Sequence, residues 1–261
     1  MKIDRKNPPE TNGTIEFNLQ DFNKFTLDNN LEIFFVQKND LPIVQLNMLI
    51  NGGSKFDHAN KSGLAHLTSL LIDEGAGEYD SLQLDDELES LGSIFGVSTD
   101  NDNIHLSMLT LKENLERSVE LFSLVYQSPK FTDDDFIREQ KKLIAKIIQN
   151  NDEPSFIATS NFDKIIFNDT NYKNSIIGYR DDVNSITNSD VIEFYKNKFI
   201  ASNTQLVVVG NIELAELKPL LNKYFNKTVE HKLEGQNKLV PQKQNSKFYF
   251  INKEKSHTVN E

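Results

Sequence analysis

Cysteine and tryptophan are absent from the 261 residues, and methionine occurs three times. Without cysteine there is no disulfide, no thiolate zinc site and no thiol nucleophile. No apolar run reaches the roughly 18–20 residues that cross a bilayer, so no membrane span is expected. Basic charge is in the minority, 28 Lys and Arg against 39 Asp and Glu, for a formal net charge of −11. An acidic chain without a basic block is a poor partner for a phosphate backbone, which argues against nucleic acid. What is present is core material. Hydrophobic residues make up 38%, and 18 of the residues are Phe. That excludes wholesale disorder and suffices for one large domain, alone or with an appendage.

The first 21 residues are polar and read as a flexible arm. Their start, MKIDRKNPPETNG, has no apolar h-region. The chain as given is therefore expected to carry no signal peptide, although its Met can also follow a removed one. Alternating runs then predict strands over 23–27, 31–37 and 43–50, the first two joined by a tight turn at Asp28-Asn29-Asn30. A helix is predicted over 62–74, with Gly75 as its C-cap, and another from the N-cap Ser81 to Gly92. SIFGVSTD and NIHLSMLTL read as two strands joined by Asp100-Asn101-Asp102. Apolar spacing then predicts helices over 112–127, 132–150, 154–167, 188–198 and 213–225, with a buried strand over 204–210. Thr132 followed by Asp133, Asp134 and Asp135 suits a helix start, and Pro154 suits a first turn. Strands and helices do not alternate strictly, so the fold class is α+β: helices packed on one face of a mostly antiparallel sheet. Residues 226–247 read as a polar linker, after which FYFINKE begins a new strand. A lone strand makes no domain, so residues 248–261 are read as the start of a second one.

The segments KFTLDNNLEIFFVQKNDLPIVQLNMLINGGSKFD, KSGLAHLTSLLIDEGAG, LESLGSIFGVSTDNDNIHLSML and FIREQKKLIAKIIQNNDEPSFIA, in that order, resemble the M16 peptidase family (insulinase, pitrilysin and mitochondrial-processing-peptidase-like proteins). The buried strand ending in Gly210-Asn211 resembles a later signature of the same family. The likeness runs from Phe22 to Phe225. It implies an M16 roll (LuxS/metallohydrolase-like) over 22–225, used twice in each half of a clamshell that closes on a peptide. It also implies zinc on one half, and a substrate-holding Arg-Tyr pair on the other that lies beyond this chain. The neighbouring Tyr179 and Arg180 are not read as that pair.

The family's zinc site is H-x-x-E-H. Two His one turn apart on a helix converge on one ion, and the Glu between them is the general base. A third ligand is a Glu on a later helix. Carried over residue by residue, His66 matches the first ligand, Ser69 stands at the base and Leu70 at the second His. Glu139 matches the first Glu of the later helix, and Lys146 stands at the ligand position. Ser is no carboxylate base, Leu has no lone pair, and Lys146 brings positive charge to the place of a dication. Asp73 and Glu74 lie about 10 Å along the helix from His66, too far to share an ion with it. His58, His105, His231 and His257 are scattered and read as surface or strand residues.

The sequence therefore predicts no catalytic residue, no metal ligand and no cofactor. It predicts a proteolytically inactive subunit or half that completes the peptide chamber of a zinc peptidase. The expected partners are a catalytic M16 chain bearing H-x-x-E-H and a peptide held between the two. Two alternatives stand beside it: an interaction or scaffold module with no peptidase complex, and an active metallopeptidase with unconventional ligands. The expected location is periplasmic or otherwise exported, or cytoplasmic if no signal peptide precedes the chain.

Overall fold

Apolar residues at every second position build the centre of the molecule, which a computed structural model describes over residues 20–225 and 248–250. The first elements are β1 (Asn23–Thr26), β2 (Glu32–Gln37), β3 (Ile43–Ile50), α1 (Leu64–Leu71), β4 (Gly75–Ala76), β5 (Tyr79–Asp80) and α2 (Ser81–Ser90). Then come β6 (Ile94–Thr99), β7 (Ile104–Leu111), α3 (Leu115–Gln127), α4 (Asp133–Asn150), α5 (Pro154–Ile166), α6 (Arg180–Ser185), α7 (Asn188–Lys198), β8 (Thr204–Gly210) and α8 (Leu214–Tyr224). Six strands form one sheet in the order β1-β2-β8-β3-β7-β6. All neighbours are antiparallel except β2 and β8, which run parallel. Register puts Leu46 opposite both Met108 of β7 and Val208 of β8, so apolar residues of three strands share one face. Val44, Leu46, Met48 and Ile50 on that face are fully buried, as are Leu206 and Val208. Each such side chain contributes about 1.5–3 kcal/mol relative to exposure. Gln45, Asn47 and Leu49, on the opposite face, are half-buried.

The helices supply the rest of the core. In α3, Val119, Phe122 and Val125 are buried at helical spacing; α1 packs against α4, α7 and β6. Local signals account for the helix starts. Thr132 caps α4 by accepting from the Asp135 N–H, and its three acidic residues sit at the positive end of the helix dipole.

Several boundaries depart from expectation. Helix α1 ends at Leu71, and Gly75, with φ of +133°, is no cap but the first residue of the two-residue hairpin β4–β5. Asp80, not Ser81, caps α2, in a reciprocal capping box with Gln83. Residues 112–114 form a single 3₁₀ turn before α3 begins. Helix α6 was not foreseen; at six residues it is too short to show a period. Of FYFINKE, only Phe248–Phe250 are described; they lie in no helix or strand and are exposed. Residues 1–19 of the arm, the linker with His231, and residues 251–261 with His257 lie outside the described residues.

Candidate functional site

Helix α1 is apolar almost all round. Leu64, Ala65, Leu67, Thr68, Ser69 and Leu71 are buried, and only His66 and Leu70 keep some exposure, one turn apart on the same side. Two short-range devices fix this helix. Its N-cap is Gly63, whose φ of +98° suits glycine and whose side is crowded by Ile177 and Gly178. Lacking a side chain, Gly63 cannot cap the helix. Asp57, buried in the preceding loop, does so instead, accepting from the N–H groups of Gly63 at 2.7 Å and Ala65 at 2.8 Å. Burial pushes the Asp57 carboxyl up to about 7, against the backbone donors that favour its charged form. Lys61, in the same loop, pairs with Asp190 in the first turn of α7.

The five positions drawn from the resemblance fall on two packed helices. His66 has a buried Nδ1 with no hydrogen-bond partner, and burial lowers its pKa, which favours neutral imidazole. The Ser69 hydroxyl is fully engaged. It donates to the His66 carbonyl oxygen at 2.7 Å and accepts from Thr99 of β6 at 2.7 Å. Leu70 packs against the apolar core. On α4, Glu139 is buried and held by Lys142 at 2.6 Å and Arg138 at 3.2 Å. Lys146, two turns further on, is exposed.

Sequence reasoning missed the acidic cluster just past the end of α1. Arg138 bridges Glu74, Asp135 and Glu139. Burial, with Glu74, Asp85 and Glu139 nearby, pushes Asp73 up to about 6. Glu74 is also raised, by burial and by the Glu139 carboxyl, while Arg138 and Ser81 oppose the rise. It also missed Asp57 and Thr99. Asp57 lies six residues before the first amide it caps, outside any local capping pattern. Of the scattered histidines, His58 is exposed and His105 pairs with Asp100 at 2.7 Å.

Chemically, His66, Leu70 and Lys146, the positions that the resemblance assigns to the family's metal, offer one imidazole, one aliphatic side chain and one ammonium. A catalytic zinc takes three protein ligands and keeps a fourth position open. This donor set does not fit that ion. Among the described residues, no group of three or more His, Asp and Glu is arranged to hold a metal, and no helix is long and apolar enough to cross a membrane.

The family model for insulinase (peptidase family M16) matches residues 33–180, more than half of the chain. The chain belongs to peptidase family M16. A second model, the peptidase M16 inactive domain, matches residues 185–260. The two matches meet inside the folded unit rather than at its edge, because β8, which follows residue 185, lies between β2 and β3. An uncharacterized zinc protease of Rickettsia bellii is 20% identical over 240 residues, which is 92% of this chain and 58% of that protein. The non-peptidase homolog YmxG of Helicobacter pylori is 20% identical over 74% of this chain and 45% of its own length. The chain thus spans about half the length of the curated relatives it matches. Among solved structures, a peptidase M16 inactive domain from Pseudomonas fluorescens superposes with a TM-score of 0.77 at 21% identity, covering 82% of this chain and 53% of that one. The periplasmic protease PqqL of Escherichia coli gives a TM-score of 0.72 at 19% identity, covering 83% of this chain and 25% of its own. At these identities the likeness is one of fold, and the fold is the α+β M16 roll.

Proposed function

We propose that this M16 chain does not cleave peptides and instead forms one wall of a peptide chamber whose zinc sits on a partner chain with an intact H-x-x-E-H helix. The observation that carries this reading is the outward stripe of α1. His66 and Leu70 share the partly exposed face on which two metal-binding imidazoles would stand, and there Leu70 offers only an aliphatic side chain, half-buried against the edge of the apolar core. The likeness to a protein named a non-peptidase homolog points the same way.

A peptide-holding role fits the neighbouring strand. β6 is the outer strand of the sheet beyond β7 and is tied to α1 through the Thr99–Ser69 hydrogen bond. An edge strand has a free row of N–H and C=O groups to which an extended peptide adds as a further strand. Residues 248–261 are read as the opening of a second domain of the same kind, and the location as exported, in line with the periplasmic protease of like fold.

The test has two readouts. The purified chain is mixed with an M16 homologue carrying H-x-x-E-H from the same organism, and complex formation is followed by size-exclusion chromatography with peptide cleavage. The chain alone is expected to bring no stoichiometric zinc and to cut nothing, and the mixture to cut faster than the homologue alone. Chelator-sensitive cleavage by the isolated chain, with one zinc per chain, would falsify the proposal.

A further inference from the structure

We propose that a cleft between the end of α5 and the segment leading to α6 binds the free carboxylate end of a peptide. The cleft has a volume of about 370 Å³ and is lined by Lys164, Asn168, Lys173, Asn174 and Tyr179. That is small for a ligand site but adequate for the last residue of a chain.

The lining carries two ammonium groups and no carboxylate. Lys24, Lys55, Lys61, Lys142 and Lys223 each pair with an Asp or Glu. Lys164 and Lys173 form no such pair among the described residues. The Lys164 ammonium lies over the Tyr179 ring, 4.7 Å from its centroid, and Lys173 donates to the Asn168 carbonyl oxygen at 3.1 Å. Both partners leave the positive charge uncancelled. In a chain of net charge −11, two such cations in one concavity form a local positive site that an anion completes. The remaining groups suit a carboxylate. The Tyr179 oxygen accepts from the Ser175 N–H at 3.4 Å, which leaves its O–H to donate. Asn168 and Asn174 add carboxamide donors to the lining. The cleft adjoins the carbonyl end of α5, whose partial negative charge opposes any anion, so the two ammonium groups must outweigh it, which they do more readily for a singly charged group than for a dianion.

Its position suggests a peptide as the bearer of that group, a step that rests on the chamber reading above. Asn171, between the lining residues, donates to the carbonyl oxygens of Lys55 at 2.8 Å and Asp57 at 3.1 Å. Asp57 in turn caps α1. The cleft is thus anchored to the loop that enters the site helix.

The experiment uses the chain and its Lys164→Gln/Lys173→Gln variant, with three probes: acetate, a peptide with a free C-terminus, and the same peptide amidated. Amide shifts of residues 164–179 in ¹⁵N NMR report occupancy. Saturable acetate shifts that the variant loses are expected, together with about tenfold or more tighter binding of the free-acid peptide than of its amide. Absence of saturable acetate shifts, or shifts unchanged in the variant, overturns the pocket. Equal binding of acid and amide peptides, with acetate still bound, overturns the assignment to a peptide end. If acetate binds and neither peptide does, the chamber reading fails and the carboxylate-end assignment fails with it, while the anion pocket stands.

Discussion

Thr99 on the edge strand donates to Ser69, and Ser69 donates to the carbonyl oxygen of His66, both at 2.7 Å. The hydroxyl at the position that the resemblance gives to the general base is therefore a structural pin between α1 and β6, with its proton already committed. Restoring chemistry at this point takes more than a new base. In the series Leu70→His, Lys146→Glu, the two together, and the two with Ser69→Glu, zinc affinity measured by competition with a chelator is expected to rise only when both ligand changes are present. The gain should be on the order of 100-fold over either single change, because the ligands act as a unit. A double variant no better than the parent means that α1 and α4 do not converge at this point.

Lys61 and Asp190 contribute to the loss of stability in acid, alongside the other carboxylates held low by partners, such as Asp102 and Asp135. Burial raises the Asp190 carboxyl, but Lys61 and Thr187 outweigh it and hold the group down to about 2. Its folded pKa lies below the usual 3.8, so the stabilisation is full above pH 4 and is lost as pH falls toward 2. Both side chains are less than a third exposed, and the pair contributes on the order of 2 kcal/mol. Lys61→Met should remove most of it. Urea melts at pH 2.5 and pH 5 check this: the parent should lose more stability between the two than the variant does.

Asp57 sets the opposite slope. Its folded pKa of about 7 lies above the usual 3.8, so the native state holds the proton more tightly than the unfolded chain. Stability from this group is full below pH 4 and declines as pH rises to 7, by a few kcal/mol at most. Asp73, at about 6, adds in the same direction. With the acid limb carried by Asp190 and the other lowered carboxylates, maximum stability is expected near pH 4. Asp57→Asn should flatten the decline between pH 4 and 7, leaving the smaller slope from Asp73. A parent whose stability rises over that range contradicts the assignment.

Gly178 cannot carry a side chain. A Cβ there would lie 2.0 Å from the Ser62 carbonyl oxygen, and φ is +76°. Gly178→Ala should cost more than about 3 kcal/mol or prevent folding, since both contact and backbone are wrong. Gly96→Ala is the control. Its Cβ would meet only the Ser107 hydroxyl oxygen at 3.3 Å, which can rotate away, and it should cost under about 1 kcal/mol. Thermal melts of the two variants separate these outcomes.

The elements legible in the sequence were those whose signal is local. Period-2 runs such as IVQLNMLI became β3, and Thr132 with its acidic followers began α4. The sheet order was not legible. Nothing near 204–210 says that this strand enters between β2 and β3, because that is set by partners far away in the chain. The same division holds at the site. His66 and Leu70 could be placed on one helix face by spacing alone. The Asp57 cap and the Arg138 bridge to Glu74 could not, since each joins residues through a fold not yet known.

The place of β8 has a consequence for how the chain is made. Glu32 pairs with Gln205 and Ile50 with Thr204, so the sheet has no continuous centre until residue 210 is available. During synthesis β1–β2 and β3–β7–β6 must wait as separate pieces, with apolar faces uncovered, while the helices between them emerge. Long-range pairing of this kind slows folding and exposes strand edges to other chains. A ribosome-bound chain ending before Thr204 would therefore be the most aggregation-prone stage in the life of this protein.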